Sequence, residues 1–101
     1  MVGWLSANER IGVSAVAWGE FLCGPLSHSA EALARQLLPN AEPFDHSDAE
    51  LAAILFNATG RRSKSYADCC IASVAIRLKV PLAMSNIDDF KPMEAHGLAL
   101  A

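Results

Sequence analysis

Apolar residues recur at two spacings along the chain, and the change from one to the other divides it into elements. Ile11 to Ser14 is a short β-rich run, and Ser14 is placed to cap a helix over Ala15 to Cys23. Gly24-Pro25 stops that helix. Ala30, Leu33, Ala34 and Leu37 return every three or four residues and predict a second helix from Ser29 to Leu38, ended by Pro39-Asn40. Glu42 to Asp45 offers a short extended piece. Leu51, Ile54, Leu55 and Ala58 mark the apolar face of a third helix, opened at Ser47 or Asp48.

Beyond the polar, basic turn Gly60 to Ser65, the segment Tyr66 to Leu78 is apolar on nearly every side, which predicts a helix buried all round. Val80 to Ser85 reads as a buried strand, followed by the acidic turn Asn86-Ile87-Asp88-Asp89. A short helix around Pro92 to His96 and a strand from Leu98 to Leu100 close the pattern. Helices alternating with short apolar strands predict an α/β domain of three α/β/α layers with a mainly parallel sheet. Chemistry in such sheets gathers at the carboxyl ends of the strands.

Composition narrows this picture. With 101 residues, 52% hydrophobic and 19% charged, the chain suits one folded domain with a modest core. A net charge of -3 supplies no global basic excess for a nucleic-acid partner, although a local basic patch beside an acidic centre remains compatible with one. Cys23, Cys69 and Cys70 form neither a disulfide framework nor a zinc-ligand spacing, and read as reduced thiols. There is no signal-peptide pattern, and no apolar run approaches the roughly 20 residues of a membrane helix. A soluble, cytoplasmic protein with no membrane partner is expected.

Candidate chemistry comes from acids in apolar surroundings. Glu20 is the only charged residue between Ile11 and Ser27, and Asp68 the only one between Tyr66 and Ile76. On helices, Glu20 lies beside Val16, Ala17 and Cys23, and Asp68 beside Ile71, Ala72 and Ala75. A buried carboxylate costs several kcal/mol unless a cation or hydrogen bonds meet it. A divalent ion would serve both acids, since hard cations prefer carboxylate oxygens. Plainer readings stand beside this one: Asp68 as the reach-back of a capping box in Ser65-Tyr66-Ala67-Asp68, and Glu20 as an outward-pointing surface acid. The turn at Asn86 to Asp89 gains interest from following a strand. Together the three acidic places suggest a carboxylate cluster for Mg²⁺ or Mn²⁺ with positions open to phosphate and water. Arg61, Arg62 and Lys64 form the one basic cluster and suit RNA phosphates at the rim, or equally a solvated turn after a helix C-terminus. Trp4 and Trp18 read as packing residues, and the three histidines share no spacing.

Three segments carry a family resemblance. Val13-Ser14-Ala15-Val16-Ala17-Trp18-Gly19-Glu20-Phe21 resembles the PIN-domain passage in which a strand leads into a helix bearing an acid. Ala67-Asp68-Cys69-Cys70-Ile71-Ala72-Ser73-Val74-Ala75 is similar to that family's later acid-bearing helix. Leu82-Ala83-Met84-Ser85-Asn86-Ile87-Asp88-Asp89-Phe90 looks like its strand and turn ending in Asn-x-x-Asp-Phe. Their order resembles the VapC toxins of type II toxin–antitoxin systems. The resemblance implies a Mg²⁺- or Mn²⁺-dependent endoribonuclease with Glu20 and Asp68 at catalytic positions and with Asp89 or Asn86 at the last one, Asp89 matching the acid of Asn-x-x-Asp-Phe and Asn86 standing where relatives are often acidic. Glu20, Asp68 and Asp89 would be metal ligands, with an RNA substrate, a VapB-like antitoxin and a homodimer as partners. The chain departs from the family in two ways. Met84 stands where relatives carry Thr. The family's opening strand ending in Asp is absent, Met1 to Glu9 resembles the tail of the helix after it, and the domain over residues 1 to 101 is read as incomplete at its N-terminus. A sheet without its central strand is expected to leave the chain poorly folded and inactive on its own. The competing expectation is a catalytically inactive remnant that binds an antitoxin-like partner through an apolar groove. No Gly-rich strand-to-helix turn supports dinucleotide binding.

Overall fold

Helix starts follow the chemistry of the first turn, whose N–H groups need acceptors that the helix itself cannot supply. In the computed structural model, which describes residues 3–7, 10–59, 66–84 and 87–101, Ser14 Oγ accepts from Ala17 N at 3.1 Å and opens α1 (Ala15–Leu22). Ser27 does the same for α2 (His28–Leu37), accepting from Ala30 N. Asp45 and Asp48 form a reciprocal capping box at the start of α3 (His46–Ala58). Next comes α4 (Tyr66–Leu78), which buries every residue from Cys69 to Ala75, as its uninterrupted apolar character predicts. The acidic turn closes into a single-turn helix, α5 (Ile87–Phe90), continued by a 3-10 helix over Lys91–His96 that ends on Gly97 at φ 103°.

The sheet differs from expectation at its centre. β1 (Trp4–Ala7) lies between β2 (Arg10–Gly12) and β3 (Leu82–Ala83) and runs antiparallel to both. Leu5 pairs with Gly12 on one edge and with Leu82 on the other. Two expectations therefore fall. The segment Met1 to Glu9 is no helix tail where it is described, and the middle of the sheet is not a gap. The reason lies in period-two alternation: Leu5 is buried, while Trp4 and Ser6 on either side are half-buried, a pattern that suits a strand and not a helix face. Gly3 belongs to the same fit, since a Cβ there would stand 2.9 Å from Leu82 Cδ1. The mainly parallel sheet is also corrected, because both ladders are antiparallel. Parallel pairing occurs only as isolated bridges among the described residues, Ser14 with Glu42 and Leu82 with Leu100. β2 and β3 share one direction, since each opposes β1.

A buried cluster containing Leu5, Val13, Ala17, Leu55, Val74, Leu82 and Met93 ties sheet and helices together. α3 packs against α4, and a charged contact helps to fasten the pair. Arg77 Nε donates to Asp48 Oδ1 at 2.8 Å, and Arg77 Nη2 donates to the Pro43 carbonyl at 2.9 Å. The flank formed by α2 is open. Leu33 and Leu37, expected on the packed face of α2, are 56% and 67% exposed, while Ala34 and Leu38 are buried beside them. With Trp4, Ile11 and Phe21 they line an apolar groove of about 570 Å³. Among the described residues no helix is long and apolar enough to cross a membrane.

Candidate active site

The acids singled out in the sequence sit on elements that the core holds in place. On α1, Ala17 is fully buried and Glu20, three residues later, is exposed. α1 packs against α4, and Glu20 comes close enough for its charge to act on the Cys70 thiol of α4. Asp68 occupies the first turn of α4 and is half-buried. The positive end of the helix dipole favours a carboxylate there. Asp89 lies on α5, also half-buried, held by the neighbouring Phe90 whose ring is in the core. Both Asp68 and Asp89 interact with neighbouring groups. Asp88, by contrast, is a surface residue 3.5 Å from Lys91. Asn86, the basic residues Arg61, Arg62 and Lys64, and the capping candidate Ser65 lie outside the described residues.

The Cys70 thiol of α4 is not poised as a nucleophile. Burial pushes Cys70 above the usual thiol range; a bond with Tyr66 works against that shift, and the charges of Asp48 and Glu20 reinforce it. Tyr66 opens the helix. Its hydroxyl donates to the Ala49 carbonyl at 3.3 Å, and its ring meets Phe56 edge-on at 6.3 Å. Burial raises its phenol above the ordinary value, with Cys70 adding to the effect. The two tryptophans do pack: Trp4 lies edge-on to Phe21 and Trp18 stacks on it, with Arg35 over the Trp18 ring at 5.8 Å.

One pair went unread in the sequence. Asp48 is 1% exposed and Arg77 is its charged partner from a position 29 residues away. Arg77 is raised above the usual arginine value, first by that hydrogen bond. The Asp45-x-x-Asp48 spacing hints at a capping box, but nothing local points to Arg77. This contact fixes α4 on α3, and so sets how the helix bearing Asp68 is held.

The PIN domain family matches residues 1–94. The chain belongs to the PIN domain family. PIN domains are in general nucleases that bind RNA and depend on divalent metal. No curated protein matches the chain. Tested against a divalent ion, the PIN acids here supply the right donor chemistry in Glu20, Asp68 and Asp89, all hard oxygens. Yet among the described residues no three of His, Cys, Asp and Glu come together as a group able to hold a metal. β1, at the middle of this PIN chain's sheet, carries no acid in Trp4-Leu5-Ser6-Ala7 to complete them.

Proposed function

We propose that this PIN domain is a metal-dependent endoribonuclease of the VapC toxin type, cleaving RNA phosphodiester bonds. The observation that supports it is the placement of Glu20 and Asp68, lone charges of two apolar segments, on helices packed together within a PIN chain. In this reading Glu20, Asp68, Asp89 and Asn86 form the polar face of the site, and Mg²⁺ or Mn²⁺ is the cofactor. Arg61, Arg62 and Lys64 receive RNA phosphates. Because the described acids make no three-donor group, either ion is expected to bind weakly in the absence of RNA. The cellular setting proposed is the cytoplasm, with a VapB-like antitoxin as partner and a homodimer as the assembly. The expectation of an inactive, poorly folded chain rested on an empty sheet centre and on the absent first-strand Asp; β1 stands at the middle of the described sheet, and its four residues bring no acid.

A second reading, an inactive PIN remnant that binds an antitoxin-like protein, draws on the open groove beside α2. One assay separates the two. The purified chain is incubated with a labelled single-stranded RNA and Mn²⁺ or Mg²⁺, with and without chelator. Cleavage is expected with metal, and its loss in Asp68→Asn and Glu20→Gln. Asp68→Asn should melt at the same or a higher temperature in chelator, because it removes a like charge from the acidic face. A clear fall in melting temperature would instead favour the capping role of Asp68. RNA left intact by a folded wild-type chain would sink the enzymatic reading.

A further inference from the structure

We draw no further inference here: the strongest candidate, the open apolar groove between α2 and the side chains of Trp4, Ile11 and Phe21, is an unpartnered face, and nothing in the structure shows what covers it.

Discussion

Across the α3–α4 side, a buried helix packs against a capped one, Leu55 has no solvent exposure, and the buried carboxylate of Asp48 is met by Arg77 and by the backbone of Asp45. Across the α1–α2 side, Leu33, Leu37 and Ile11 stand open around an apolar groove. Both flanks are built from helices with similar apolar spacing, so spacing does not decide which flank closes. What differs is the partner. α4 offers α3 a continuous apolar wall and a cation, whereas α2 meets Trp4, Ile11 and Phe21 across an open groove and Trp18 through Arg35. Stability should therefore reside in one flank and spare binding surface in the other.

The largest expected effect tests that division directly. Leu55→Ala should destabilise the chain by about 3 kcal/mol, since it opens a cavity in closed packing. Chemical denaturation would show this as a lower midpoint, and a loss below about 1 kcal/mol would mean the α3–α4 side is less closed than described. Arg77→Met follows, at about 2 kcal/mol, because it strands a carboxylate that is 1% exposed while water reaches part of the vacated site. Asp48→Asn combined with Arg77→Met should recover part of that loss, and a double mutant no better than the single would break the pairing argument.

A smaller effect should appear only in acid. The Asp45 carboxyl is held below its usual range, first by the Asp48 backbone N–H and then by the Ser47 hydroxyl. A depressed pKa stabilises the fold above the ordinary aspartate value of about 4 and loses that contribution as pH falls through the lowered value. Asp45→Asn keeps a capping oxygen, so its melting temperature should decline less than that of wild type on passing from pH 5 to strongly acid conditions. The open flank supplies the smallest effect. Leu37→Lys should shift stability by no more than about 0.5 kcal/mol, because the side chain is already mostly solvated. A loss comparable to that of Leu55→Ala would show the groove to be closed in solution, by the chain itself or by a second copy.

The helices were legible because their signals are local. Ser14 before an apolar run, the repeat from Leu51 to Ala58 and the unbroken apolar stretch after Tyr66 each fix a helix within a residue or two. The acids at Glu20 and Asp68 stood out for the same reason, each being a lone charge in its segment. The sheet was harder. Trp4-Leu5-Ser6-Ala7 is too short to declare its period, and its direction depends on strands brought together from far along the chain. The exposure of Leu33 and Leu37 escaped notice because spacing reveals a face and not what lies against it. The Asp48–Arg77 contact depends on the same long-range closure, as does the bracing of Tyr66 by Ala49 and Phe56.

β1 also has consequences for the order in which the molecule assembles. One of its edges pairs with β2, only a few residues on, and a hairpin of that kind closes within about 1–10 μs. Its other edge pairs Leu5 with Leu82, so it waits until nearly the whole chain has been drawn in. The helices form from contacts near in sequence and need not wait. The middle strand thereby joins one partner close in sequence to another far along the chain, and the β3 pairing is the one that carries the larger loop-closure cost.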